Sequence, residues 1–382
     1  MRTKALVAGV LALAVVGVLA APWARAFFAG SVAGPSGPPV TSAGSSFAAS
    51  PAPTAPPNGS PIAGSGSQPP VPTSGLFISV AEVAALPHDG AAYEAVVDAA
   101  KLPWPSPDLA NPNGRHQLHV LAAALLGHRE DARDGIQNAI NLFKAKNGTV
   151  LAMGRQLPAY IIAADLIDLR ALDPKLDETF RADLAKWRDG KVGTHKRWSV
   201  LSFTFGDSSN NWGAHAGAAV IAIDRYLGRP LDPDWAIFRG FTGDVKAHEF
   251  YTPPIAHRTW LKAKVWTPVQ VVPGDPRDGA VTEDAWRDGK YPRISDTYVM
   301  DSAQALAVQA EILTRAGYPA WPLLARSAAF LDREGTPWSE KGGRGGHTLA
   351  YLYNKRLGLG APTTNVGDRM AWSFGFGDWL YQ

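Results

Sequence analysis

Two stretches of the chain concentrate side chains that can do chemistry. The first is Asn210-Asn211-Trp212-Gly213-Ala214-His215. Asn211 and His215 are four residues apart, so on a helix they share a face. Asn210 and Asn211 stand where a loop enters that helix, and capping is the ordinary use of Asn there. Gly213, Ala216, Gly217 and Ala218 thin the helix and permit close packing. An amide, an indole and an imidazole gathered at one helix start are harder to account for as core. The second stretch holds Glu283, Asp284, Trp286 and Arg287, then Tyr291, Arg293 and Asp296, and reaches Tyr298 and Asp301. Tyr298 and Asp301 are three apart and share a face of the next helix.

Helices must position these groups. Apolar residues recur at i, i+3 and i+4 over Arg115–His128, Asp131–Lys146, Gln156–Leu169 and Asp177–Trp187. Ser79-Val80-Ala81-Glu82 is a capping box that opens a short helix, and Ala91–Leu102 reads as another. The pattern predicts further helices at Asn211–Leu227, Pro233–Glu249, Asp296–Ala316, Ala320–Asp332 and His347–Leu357. Lys262–Val272 is the best candidate for a hairpin, and few other strands are expected. Consecutive antiparallel helix pairs predict an all-α fold: a bundle, a solenoid or an α/α toroid. No repeat of fixed length is evident, which disfavours the solenoids.

Composition narrows the chemistry. The chain has no Cys, which excludes disulfides, thiolate metal sites and cysteine nucleophiles. Its net charge is +3, but Arg2, Lys4 and Arg25 lie in the leader; without them 34 basic residues face 34 acidic ones. No global field then favours nucleic acid, so attraction for an anion must be local. Thirteen Trp and ten Tyr offer flat surfaces that stack on sugar rings, although most such residues pack in cores. His116 and His119 are three apart, yet no third ligand follows at metal spacing, and both read as ordinary helix residues. There is no HExxH, phosphate-binding loop or dinucleotide fingerprint, and no metal or cofactor is expected.

At these residues the chain resembles the alginate lyase family of polysaccharide lyases, over about residues 77–382. The similar features are the Asn-Asn at a helix start, the loop Asp278-Gly279 to Glu283 and Arg287, and Tyr298 leading into the helix that ends Gln309-Ala310-Glu311-Ile312-Leu313. Arg155 before Ala159-Tyr160-Ile161-Ile162-Ala163-Ala164-Asp165, and the terminal Asp378-Trp379-Leu380-Tyr381, are similar as well. The resemblance implies an incomplete α/α toroid of antiparallel helix pairs, and β-elimination at a uronic acid in an acidic polysaccharide. That reaction needs donors to neutralise the carboxylate beside C5, in the manner of an oxyanion hole, and a base and an acid for the two proton transfers. By the resemblance, Asn211, His215, Arg287 and Tyr298 are the catalytic set, with Arg293 the alternative to Arg287. Asn210, Trp212, Arg155, Tyr160, Trp286, Arg293 and His347 would bind substrate. One departure stands out: the family has His directly after the Asn, where this chain has Trp212, and the nearest imidazole is His215, one turn on. A glycoside hydrolase on a similar toroid is the second reading, and would need two carboxylates from Glu283, Asp284 and Asp301. The third is a non-catalytic envelope protein that binds glycans.

The N-terminal region supplies an address. Arg2 and Lys4 precede an uncharged apolar run from Ala5 to Ala21, and Ala24-Arg25-Ala26 fits a signal peptidase site. Seventeen apolar residues also meet the lower limit for a spanning helix, so the run is a cleaved signal or a membrane anchor. Residues 27–75 are Gly, Pro, Ser, Ala and Thr-rich with no Lys, Arg, Asp or Glu, too poor in apolar surface to fold. A coil of that kind reaches on the order of 40 Å. The expected organisation is thus a leader (1–26), a disordered linker (27–75) and one folded domain (76–382), exported from the cytoplasm and monomeric.

Overall fold

A computed structural model describes residues 75–145, 148–193, 198–208, 210–242, 284, 297–334, 346–363 and 369–382. The leader, most of the linker, the proposed hairpin at Lys262–Val272, and Glu283, Trp286, Arg287 and Arg293 lie outside them. Among the described residues the fold is all-α, and one isolated bridge, Met370 to Gly375, is the only extended pairing. No described helix is long and apolar enough to cross a membrane.

The helices, numbered over the described residues, are α1 (Val80–Ala84), α2 (Gly90–Ala100), α3 (His116–Leu125), α4 (Arg129–Ala145), α5 (Val150–Leu166), α6 (Leu169–Leu172), α7 (Pro174–Asp189), α8 (Leu201–Asp207), α9 (Asn211–Leu227), α10 (Asp232–Thr242), α11 (Thr297–Arg315), α12 (Ala320–Glu334), α13 (Gly346–Leu357) and α14 (Gly377–Leu380). Local chemistry explains several ends. Ser79 and Glu82 form the reciprocal capping box of α1. Asn210 caps α9 by accepting from the N–H groups of Trp212 and Gly213, and Gly228 ends it in the left-handed region that favours glycine. Helix α5 begins six residues before the expected Gln156, because Thr149 caps it through the Ala152 N–H. It then runs through Pro158.

Four of these helices form a row with one direction. Leu109 and Asn111, just before α3, bond Thr149 and Gln156 of the α5 start, and His116 meets Tyr160 further along both. Gly154 of α5 lies against the His215 backbone of α9, while Asp165 and Arg225, near their far ends, line one cavity. Asn211 of α9 bonds Asp301 of α11, and Gln309 bonds the Ala214 carbonyl further along. Contacts therefore advance in step, and α3, α5, α9 and α11 run parallel. Helix α7 runs the other way: Tyr226 of α9 meets Asp177 early in α7, whereas Asp224 meets Arg188 late in it.

Burial follows from this layering. Helix α9 is buried from Gly213 to Asp224 without a break, and α5 from Ala152 to Ala164. A helix with apolar or small side chains all round belongs in the interior, not on a surface. Small residues set the spacing. A Cβ on Gly154 would lie 2.8 Å from the His215 carbonyl carbon, and one on Gly217 would lie 2.4 Å from the Phe205 ring of α8. The row places the N-terminal ends of α5, α9 and α11 side by side.

Candidate functional site

The N-terminal ends of three parallel helices converge on one carboxylate. Asp301, in the second turn of α11, is 1 % exposed. Its Oδ2 accepts from Asn211 Nδ2 at 2.9 Å and from the Arg155 guanidinium of α5; its Oδ1 pairs with His215 Nε2. The other ring nitrogen of His215 lies 2.9 Å from Ser373 Oγ, in the segment after α13. Arg155 also donates to the Pro112 carbonyl at 3.1 Å, and its head stacks over Trp372, 4.5 Å from the ring centre. The Trp372 backbone is held on both sides: its N–H donates to Gln304 and its carbonyl accepts from Gln117.

Electrostatics inside the cluster are strongly coupled. Burial alone would raise the Asp301 pKa, but His215, Arg155 and the hydrogen bonds from His215 and Asn211 outweigh it and hold the carboxyl at about 2. Burial pushes His215 below its ordinary value; Asp301 pulls the other way, and Arg155 adds to the depression. A neutral imidazole facing a carboxylate carries its proton on Nε2, which leaves Nδ1 to accept from the Ser373 hydroxyl. At neutral pH the cluster then holds one cation and one anion, and its charges cancel.

The expected site residues divide. Asn211, His215 and Arg155 are brought together, and all three are buried and tied to Asp301. Tyr298 stands on the first turn of α11, one turn before Asp301, and is half-buried. Asn210 is a buried cap whose side-chain oxygen also accepts from Ser208. Half-buried Trp212 packs on Trp198, ring centres 5.2 Å apart. Tyr160, expected to bind substrate, sits in the core with its hydroxyl on His116 Nδ1 at 2.7 Å. Its hydroxyl is used inside the fold because α3 packs directly on α5. His347 is the second residue of α13, but its side chain, like Trp286, Arg287 and Arg293, lies outside the described residues.

Two members of the cluster were not expected. Trp372 and Ser373 belong to a turn of aromatic and glycine residues, where no periodicity marks which side chain faces inward. In the sequence Asp301 stands out as sharing a helix face with Tyr298 and as a carboxylate for the hydrolase alternative; its place at the centre depends on pairing across 86 residues with His215. Asp284, the second such carboxylate, is buried against the Ser302 hydroxyl. His116 and His119 bond Tyr160 and the Ala99 carbonyl, and among the described residues no group of three or more His, Asp or Glu is placed to hold a metal. No family model, no curated protein and no solved structure matches this chain.

Proposed function

We propose that the chain is an exported polysaccharide lyase that cleaves an acidic polysaccharide by β-elimination. The observation that carries this reading is the meeting of Asn211, His215 and Asp301 at the N-terminal ends of parallel α9 and α11, with Tyr298 one turn away and less buried. An incomplete α/α toroid is the architecture in which inner helices run parallel and outer helices return, and the row α3, α5, α9, α11 supports it.

In this reading Tyr298 moves the proton, since it is the site residue with both an ionisable hydroxyl and partial exposure. The Asn211 amide nitrogen and both His215 nitrogens are already engaged, so these residues position the site, and neutralising the uronate carboxylate falls to Arg287 or Arg293. The hydrolase alternative draws less support. A general acid needs a raised pKa and access, whereas Asp301 is enclosed and held at about 2. The test is to incubate the protein with a panel of acidic polysaccharides and follow ultraviolet absorbance from unsaturated uronates. New absorbance supports the lyase. Reducing ends without it would transfer the assignment to a hydrolase, and binding with neither signal to a glycan-binding protein.

A further inference from the structure

A cavity of about 320 Å³ lies at the other end of the helix row. Asp165 stands ten residues after Arg155 on α5, and Arg225 ten residues after His215 on α9. At 1.5 Å per residue, both lie about 15 Å along the parallel axes from the Asp301 cluster. The cavity is therefore a separate place. Its volume is at the lower end of small-ligand sites, which run from about 300 to 1,000 Å³.

The wall carries charges of both signs. Asp165, Asp168 and Asp177 line it together with Arg170, Arg181 and Arg225, and no two of the six form an ion pair with each other. The fold uses two of them. Tyr226 donates its hydroxyl hydrogen to Asp177, and Arg181 donates to the Tyr226 and Leu227 carbonyls at the end of α9. Asp165 accepts from the Leu76 N–H at 2.8 Å and Asp168 from the Ala171 N–H at 3.3 Å, each through one oxygen. Arg170 and Arg225 donate no hydrogen bond among the described residues. Burial pushes the Asp165 carboxyl above its ordinary range, against the Leu76 hydrogen bond and the Arg225 charge. Two guanidiniums and two carboxylates thus border one cavity with their charges unspent on each other.

We propose that this cavity binds a small zwitterion, an amino acid or short peptide with both ends free, its carboxylate held by Arg170 and Arg225 and its ammonium by Asp165 and Asp168. The lining is neutral as a whole, so a lone cation or anion would bring an unbalanced charge into it, whereas a zwitterion adds none and gives each sign a partner. A guanidinium fork matches a carboxylate in shape as well as charge. Asp165 and Asp168 stand at the C-terminal end of α5, where the helix dipole also favours a cation. Among the described residues no three carboxylates or imidazoles are placed around a metal ion, which leaves an organic ammonium as the matching cation. The inference goes beyond the proposed reaction and does not depend on it.

Titration calorimetry of the full chain with glycine, dialanine, N-acetyl-dialanine and dialanine amide tests it. The expected result is that glycine or dialanine binds, and that blocking either end of dialanine weakens it at least about tenfold. Arg225→Gln alters an exposed side chain that donates no hydrogen bond. It should weaken dialanine by a similar factor and leave the amide unchanged. Asp168→Asn keeps the cap of α6 and suits the left-handed backbone there. It should weaken dialanine and spare the N-acetylated form. Circular dichroism checks that both variants fold, and the comparison of free and blocked peptide on the unaltered protein stands without them. No binding of either zwitterion, equal binding of a blocked form, or unchanged affinity in both folded variants would overturn the site. Tighter binding of sulfate alone or calcium alone than of either zwitterion would overturn it too, and make the cavity a simple ion site.

Discussion

His215 on α9 and Asp301 on α11 pair across 86 residues of sequence, both enclosed. Their bond clamps two neighbouring helices at the same level as the α5 contact, because the His215 backbone is also where Gly154 touches. His215 therefore carries both a side-chain bond to α11 and a close backbone approach to α5. Packing and polar chemistry are not separable at this end of the molecule.

Removing the carboxylate should be costly. Asp301→Ala leaves Arg155 buried with no anion, and leaves the Asn211 amide and His215 without their acceptor. Breaking one side of a buried pair costs on the order of 3–5 kcal/mol. Urea unfolding should show a midpoint well below that of the parent protein. Asp301→Asn keeps the shape but not the charge, and should fall between the two.

Acid should destabilise the fold in two windows. Burial holds His116 at about 4, against 6.5 when unfolded. A depressed pKa means that stability is complete above pH 6.5 and declines as pH falls toward 4, because the unfolded chain binds the proton first. The loss from this group is about 3 kcal/mol. His215, also depressed, acts in the same direction. Asp301, at about 2 against 3.8, adds a further loss of about 2 kcal/mol between pH 4 and 2. Unfolding free energies measured across pH should show both slopes. His116→Gln should flatten the first in part and Asp301→Asn the second.

Much of the helical frame was legible because local rules decide it. The bounds Asn211–Leu227 follow from an Asn cap and a left-handed Gly, and the α1 capping box was readable from four residues. Helices α6, α8 and α14 were not legible, being only four to seven residues long and held by tertiary contacts. Asn211 and His215 could be paired because they share a helix face. Ser373 could not, since its orientation comes from a turn and from Gln304 and Gln117 gripping Trp372. Tyr160 illustrates the limit from the other side: an aromatic hydroxyl on a helix suggests a ligand contact until the neighbouring helix supplies His116.

Glycine spacing in the row gives a separate prediction. Gly217→Ala would push a methyl against the Phe205 ring and within 2.9 Å of Gln309 Nε2. Gly154→Ala would meet the His215 and Ala216 backbone, which cannot rotate away as a side chain can. Overpacking of this kind costs about 1–3 kcal/mol, and Gly154→Ala should be the worse of the two. Thermal unfolding of both variants checks the order. A Gly154→Ala protein as stable as the parent would show that α5 and α9 are not in such close contact.

The proton-transfer role of Tyr298 is open to a direct test that leaves the frame intact. Tyr298→Phe deletes one hydroxyl from a half-buried ring on the first turn of α11, and none of the hydrogen bonds to Asp301 described above uses that hydroxyl. The network around Asp301 should therefore stay in place, and circular dichroism of the variant checks that it folds. If the hydroxyl transfers the proton, the rate of unsaturated product formation should fall by at least 10²-fold, the usual contribution of a positioned acid or base. Substrate affinity, read by tryptophan fluorescence, should stay within a few fold, because the ring and its stacking surface remain. A loss of affinity with an unchanged rate would instead make Tyr298 a binding residue. A variant that keeps both would move the proton transfer to another group at the N-terminal ends of these helices.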